Sequence, residues 1–343
     1  MDPEPLTYAE AGVDVDAGDR AVALMRAAVE ATHGPRVLGG IGGFAGLWRL
    51  GGEAGRAGVG GDPVLAAASD GVGTKLLVAQ ALDRHDTVGI DLVAMVVDDV
   101  VVPGAEPLFV LDYLAVGRVD PARVAAIVAG VAEGCRLARC ALLGGETAEH
   151  PGAMEPEAYD LAGFALGMVE RDRLLGPDRV VTGDVLLGLA SSGLHANGFS
   201  LARQVLARAG IGYERELPEL GAPVGEALLT PTRIYAPQLV DLLATGIEVH
   251  ALCHVTGGGL PGNLPRCLPP GLTARVDRRS WEPPPIFKVL AGLGPVDDQE
   301  LARATNLGVG MVVVLPPTEA DRATAFLAGH DIPAWVMGEV ASR

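Results

Sequence analysis

Val64-Leu65-Ala66-Ala67-Ala68-Ser69-Asp70-Gly71-Val72-Gly73-Thr74-Lys75 is the stretch from which the fold is read. A short apolar run, 64–69, stops at Asp-Gly, the pattern of a buried strand entering a tight loop. The rhythm then continues. An apolar helix is expected over 87–102, ended by Pro103-Gly104; a strand over 108–116; and a helix over 121–138 with Pro121 in its first turn. Residues 140–143 read as a strand running straight into Gly144-Gly145-Glu146, and 159–169 completes a half rich in β-α-β units. Beyond the charged, turn-rich stretch 170–184 a second series begins, with strands at 185–190, 249–253 and 308–315 and helices at 199–209 and 231–244. At 343 residues the chain exceeds one ordinary hydrophobic core, so the expectation is an α/β (α+β-like) protein of two domains, 1–169 and 170–343. Upstream, 19–31 is an acidic helix candidate, and the glycine-rich stretch 39–61 belongs to a segment expected to be mobile.

Composition narrows the function. The 26 basic against 43 acidic residues give a net charge of -17, a field that repels nucleic acid. A phosphate-bearing small ligand can still bind where backbone N–H groups, a local cation or Mg²⁺ supply positive charge. Four cysteines, with no CxxC pair, point to buried thiols rather than disulfides or zinc. No basic segment followed by an apolar run opens the chain, and none of the roughly 18-residue apolar runs of a membrane span occurs, so a cytoplasmic protein without a membrane partner is expected.

Several loops carry candidate chemistry. In Asp70-Gly71-Val72-Gly73-Thr74-Lys75 the glycines let backbone approach a phosphate while Thr74 and Lys75 add a hydroxyl and a cation; an ordinary glycine turn with a solvated lysine is the alternative. Gly39, Gly40, Gly42 and Gly43 superficially fit a dinucleotide fingerprint but follow no strand, which leaves a phosphate-covering loop or a structural glycine stretch. Asp91, Asp98 and Asp99 interrupt an apolar helix. Seven or eight residues apart, they share a face where Mg²⁺ on ATP could relieve their repulsion, unless they are solvated edge positions. Glu146, at an expected strand end, is a metal or substrate contact or merely a water-facing loop residue. In the second half, Ser191 to Gly198 around His195, and His254-Val255-Thr256-Gly257-Gly258-Gly259, each place a histidine in a strand-to-helix turn. There it can donate to phosphate or shuttle a proton.

Taken in order, these motifs resemble the phosphoribosylformylglycinamidine cyclo-ligase (AIR synthetase) family over nearly the whole chain. The resemblance runs from Tyr8-Ala9-Glu10-Ala11-Gly12-Val13-Asp14, through 69–75, 85–95, 104–109, 144–152 and Pro231-Thr232-Arg233-Ile234-Tyr235, to Gly308-Val309-Gly310-Met311. It implies a homodimer in which N-terminal domains pair their sheets and each C-terminal domain packs helices on its own. It also implies ATP-driven ring closure: ATP phosphorylates the formyl amide oxygen of formylglycinamidine ribonucleotide, a nitrogen attacks, and phosphate leaves. On this resemblance Asp70, Asp91, Asp99 and Glu146 handle Mg²⁺ and phosphate, Lys75 the phosphoryl group, and His195 the substrate, with Asp70, Lys75 and His195 as the catalytic set. Gly39, Gly40, Gly42, Gly43, Gly71, Gly73, Thr74, His254, Thr256, Gly257, Gly258 and Gly259 become phosphate contacts, and Lys75→Ala should cost turnover with little loss of folding. Two positions depart from the pattern. Asp98 stands where Asn is usual, an extra carboxylate that could tighten metal binding or alter nucleotide preference, and Thr305 stands where an aromatic is usual.

Overall fold

The apolar run 88–101 is withdrawn from water, all of its apolar side chains but the half-buried Ile90 being buried. The computed structural model describes residues 6–40, 42–50 and 61–343. Within the first half these form α1 (Val15–Glu30), β1 (Val37–Leu38), β2 (Gly46–Arg49), β3 (Pro63–Gly71), α2 (Lys75–Ala81), α3 (Val88–Val101), β4 (Glu106–Val116), α4 (Pro121–Leu137), β5 (Ala141–Glu149) and β6 (Tyr159–Glu170). They build a six-stranded sheet in the order β1-β2-β3-β6-β4-β5. β4 and β5 are parallel, and β6 inserts antiparallel between β3 and β4. The β-α-β rhythm of the sequence is therefore real, while most neighbouring strands are antiparallel.

α3 lies against β3 and β6 with α4 beside it. The two helices approach closely at Gly89, where a Cβ would sit 2.1 Å from the Val131 backbone nitrogen. α4 starts as its sequence dictates: Asp120 accepts from the backbone of Ala122 and Arg123, and Pro121 occupies the first turn. Among the described residues no helix covers the opposite face of the sheet, which leaves Trp48, Leu111, Tyr113, Leu143, Phe164 and Met168 exposed. β5 differs from expectation. It does not stop at residue 143 but continues to Glu149, because its pairing with β4 runs on through Leu111 to Val116, so Gly144-Gly145-Glu146 is strand and not loop.

The second half forms β7 (Val185–Ala190), α5 (Phe199–Arg208), β8 (Glu216–Leu217), β9 (Ala222–Pro223), α6 (Val224–Leu229), α7 (Ala236–Ala244), β10 (Ala251–His254), α8 (Gly259–Asn263), β11 (Leu272–Val276), α9 (Pro285–Leu293), α10 (Asp298–Ala304), β12 (Val309–Leu315), α11 (Ala320–Ala328) and β13 (Ala334–Ser342). Its antiparallel sheet has the order β10-β12-β7-β13-β11. Leu187, Leu189, Met311 and Val313 point into a core continuous with that of the first half, while Leu186, Val312, Val314 and Met337 pack a second cluster on the other face. Covered on both faces, β12 is apolar throughout. The helix expected over 231–244 begins only at Ala236, since the backbone before it is engaged by α3. Of the N-terminal segment, 51–60 and Ile41 lie outside the described residues, and so does that part of the expected mobile segment.

Candidate active site

The buried helix α3 presents three carboxylates, and each meets a different partner across the seam between the halves. Asp91 Oδ1 accepts from Lys75 Nζ at 2.8 Å, from Thr232 N at 2.7 Å and from Thr232 Oγ1 at 2.6 Å. Lys75, the first residue of α2, also donates to Thr230 O at 2.7 Å and His195 O at 3.0 Å. Both side chains of the pair are fully buried. Burial pushes the Lys75 ammonium down and the Asp91 carboxyl up, and their mutual attraction opposes both shifts. An ammonium has three protons, and all three are committed here. Lys75, expected to meet the phosphoryl group, here holds Asp91, Thr230 and the His195 carbonyl. Asp91, expected on a metal, is its counter-ion, with Oδ2 buried and unpartnered among the described residues.

Asp98 accepts from Tyr235 N at 2.9 Å and Ala236 N at 2.8 Å, which makes it an acceptor for the first amides of α7. Burial pushes its carboxyl up to about 7. This extra carboxylate, expected to bear on metal or nucleotide binding, is turned to the helix start. Asp99 Oδ1 lies 2.8 Å from His254 Nδ1. Burial would lower the His254 pKa, but Asp99, Asp98 and Asp70 together raise it; Nε2 is buried without a partner among the described residues. Asp70, at the end of β3, accepts from Gly71 N at 2.7 Å. Burial raises its carboxyl, the Asp99 charge adds to the rise, and His254 opposes it. Asp70, Asp99 and His254 thus form one electrostatic cluster. Thr74 Oγ1 sits 3.0 Å from Ser200 Oγ and ties the Asp70 loop to α5.

His195 holds a left-handed backbone, φ 63°. Its Nε2 accepts from Ser192 N at 3.1 Å, and its Nδ1 is buried with no partner among the described residues. Burial drives its pKa well down, and His254, Lys75 and Arg233 drive it further.

The glycine loops are joined by two side chains that sequence reasoning missed. Arg266 lies 3.7 Å over the Phe44 ring and donates to Gly43 O at 2.9 Å, Gly42 O at 3.4 Å and Asn263 Oδ1 at 3.0 Å. Asn263 in turn donates to Gly257 O at 3.1 Å and Gly259 O at 2.9 Å. Gly42, Gly43 and Gly257 to Gly259 are so brought together; Gly39 and Gly40 share the first loop without such a tie. Gly259 must be glycine: with φ 58°, its Cβ would sit 1.9 Å from Ala302 O. Nothing local in the sequence signals Arg266 or Asn263. Glu146 stands apart on the uncovered sheet face, in register with Tyr113, its carboxylate accepting from Thr147 N. Among the described residues no three metal-ligating side chains converge, so the expected quartet Asp70, Asp91, Asp99 and Glu146 is not assembled.

Family models described as AIR synthase related protein, N-terminal domain and C-terminal domain, match residues 51–169 and 181–343. A phosphoribosylformylglycinamidine cyclo-ligase of Sorangium cellulosum is 54% identical over 98% of this chain and 96% of its own length. One of Citrifermentans bemidjiense is 49% identical over 99% and 97%. Among solved structures, a Thermus thermophilus protein superposes with a TM-score of 0.65 at 20% identity, covering 96% of each chain. The thiamine-monophosphate kinase of Stenotrophomonas maltophilia gives 0.58 at 20% identity, covering 94% of each. At these identities the structural matches speak to the fold alone. The chain belongs to the phosphoribosylformylglycinamidine cyclo-ligase family.

Proposed function

We propose that this member of the cyclo-ligase family closes the imidazole ring of aminoimidazole ribonucleotide through a phosphorylated intermediate, ATP first phosphorylating the formyl amide oxygen of formylglycinamidine ribonucleotide. The chain is a ligase of purine biosynthesis that uses ATP and releases ADP and phosphate. The observation that carries this reading is near-full-length identity, 47% to 54%, to relatives bearing that name. Nucleotide use is further supported by a protein of the same fold, the Thermotoga maritima PurL complexed with AMPPCP, with a TM-score of 0.53 over 82% of this chain.

The seam supplies what the chemistry asks for. An amide oxygen is a poor leaving group, and converting it to phosphate lets a tethered nitrogen displace it within one molecule, with little entropic cost. In our reading the loops at Gly42-Gly43 and Gly257 to Gly259, held together by Arg266 and Asn263, bind phosphate oxygens, with Thr74 and Thr256 as hydroxyl donors. His195 touches substrate. Lys75 acts by holding the His195 carbonyl in place. The donor set also fits Mg²⁺, because burial and the Asp99 charge together raise the Asp70 carboxyl, and this ion usually takes one or two carboxylates together with nucleotide phosphates. Those two residues would hold it, and bound there it would offset phosphate charge. Glu146 belongs, on this reading, to the uncovered sheet face, which a second copy covers. Six exposed apolar side chains on one face suit a homodimer. We place the enzyme in the cytoplasm, where ATP and phosphorylated intermediates are at hand.

The test is ADP release from ATP and Mg²⁺ with and without formylglycinamidine ribonucleotide, with the aminoimidazole product followed by diazo coupling. Matching, substrate-dependent ADP and product are expected; ADP without product assigns the chain a different phosphoryl acceptor.

A further inference from the structure

We infer that His195 is a fixed, uncharged hydrogen-bond donor, aimed through Nδ1–H at an oxygen acceptor of the bound substrate or its phosphoryl group, and not a proton shuttle. The inference rests on the functional reading above and adds a protonation state and a chemical role to one residue.

Three observations meet at this side chain. The backbone N–H of Ser192 points at Nε2 from 3.1 Å. A backbone amide only donates, so Nε2 must offer its lone pair and, in the neutral ring, the proton sits on Nδ1. That Nδ1–H is buried, the residue being 2% exposed, and has no acceptor among the described residues. A buried donor left without a protein acceptor is unusual, and at the seam between the halves a ligand oxygen is the partner it lacks. Finally, the ring is delivered by a left-handed backbone at φ 63°, a conformation that a non-glycine residue keeps only when its surroundings enforce it. The enforcing contact is visible: Lys75 Nζ holds the His195 carbonyl from 3.0 Å.

The charge environment agrees. Lys75 from α2, Arg233 from the segment before α7 and His254 from β10 all disfavour a second proton on the ring, and burial disfavours it more than any of them. Tyr235 packs beside it with centroids 6.1 Å apart and carries no charge at neutral pH. The Asp91 carboxylate, which shares Lys75 with the His195 carbonyl, is already held by that lysine. Protonating Nε2 would moreover set an N–H against the Ser192 N–H. With its only basic atom so occupied, the ring has nothing with which to accept a proton from substrate, whereas its donor is oriented in advance for a developing negative oxygen.

Two substitutions separate the donor from the ring. Asparagine carries an amide N–H at the position of Nδ1 and tolerates left-handed backbone better than most residues; glutamine reaches instead to the position of Nε2. His195→Asn should keep kcat within about tenfold of wild type, while His195→Gln and His195→Ala lose roughly 10²–10³-fold, the usual cost of deleting one oriented donor. In wild-type protein labelled with ¹⁵N-histidine, the resonance that His195→Asn removes should show a protonated Nδ1 and a bare Nε2, unchanged from pH 8 to pH 5.5. A proton on Nε2, or titration near the ordinary histidine value, overturns the inference, as does activity retained by Gln and lost by Asn. The nitrogen spectrum is read without turnover. A wild-type protein that makes no aminoimidazole product but shows this spectrum defeats the functional reading and leaves the state of His195 standing.

Discussion

Replacing Lys75 with methionine is the perturbation that most sharply separates a clamp from a phosphoryl contact. Methionine matches the length and fills the space, so packing is little changed, but among the described residues the Asp91 carboxylate keeps only Thr232 as a donor in a fully buried site. Removing one partner of a buried, hydrogen-bonded pair costs about 3–5 kcal/mol. Two carbonyls, Thr230 O and His195 O, also lose their donor. At about 2–4 °C per kcal/mol for a unit of 150–250 residues, the melting temperature should fall by roughly 6–20 °C. Adding Asp91→Asn to Lys75→Met removes the stranded charge and should recover part of the loss. Calorimetric or dye-monitored melting of the variants measures this, with turnover assayed at a temperature where all are folded. The reasoning fails if Lys75→Met melts within about 2 °C of wild type while turnover disappears, because Lys75 would then be acting on the reacting phosphoryl group, as the sequence alone implies.

Asp98→Ala should destabilise by about 1–3 kcal/mol, since the Tyr235 and Ala236 amides lose their acceptor, whereas Asp98→Asn keeps one and should leave both melting and ADP release near wild type; an inactive but stable Asn variant returns Asp98 to phosphate chemistry. His195 contributes to stability against pH with a definite sign. Its folded pKa is depressed while the unfolded chain binds a proton near pH 6.5, so stability should decline as pH falls below that value, by at most about 1.4 kcal/mol per pH unit. Urea titrations at pH 7.5 and 5.5 should show this decline reduced in His195→Asn, and equal declines in the two proteins reject His195 as its source. For the uncovered sheet, Leu111→Asp with Phe164→Asp should convert a dimer to a monomer by light scattering while circular dichroism is preserved; an unaltered mass moves the interface elsewhere.

Local chemistry was legible where it acts locally. Pro121 announces the start of α4, and the seven-residue apolar run of β12 announces a buried strand. Tertiary demands were not. Gly144-Gly145 reads as a turn, yet β4 supplies a parallel partner and the strand runs on. The segment 231–235 reads as the start of a helix over 231–244, yet Asp91 and Asp98 claim its amides and α7 starts late. The three aspartates of α3 were rightly singled out as needing partners; spacing along one helix suggested a shared cation, whereas Asp91 meets Lys75 of α2 and the second half offers Thr232, a helix start and a histidine. Partners contributed from 140 or so residues away leave no trace in the spacing, and for the same reason Arg266, whose Gly42 and Gly43 partners lie 224 and 223 residues away, could not be singled out.

The three carboxylates of α3 also bear on how such chains can be recombined. Family matches divide the sequence near residues 169–181, which invites splitting it there or grafting one half onto a relative. A severed first half would carry Asp91, Asp98 and Asp99 without Thr232, the α7 amides or His254, and would open the apolar core that runs between the halves. Domain swaps at that joint should therefore succeed only when α3 travels with the 230–236 segment and His254, so the unit of exchange is a set of contacts and not a stretch of sequence.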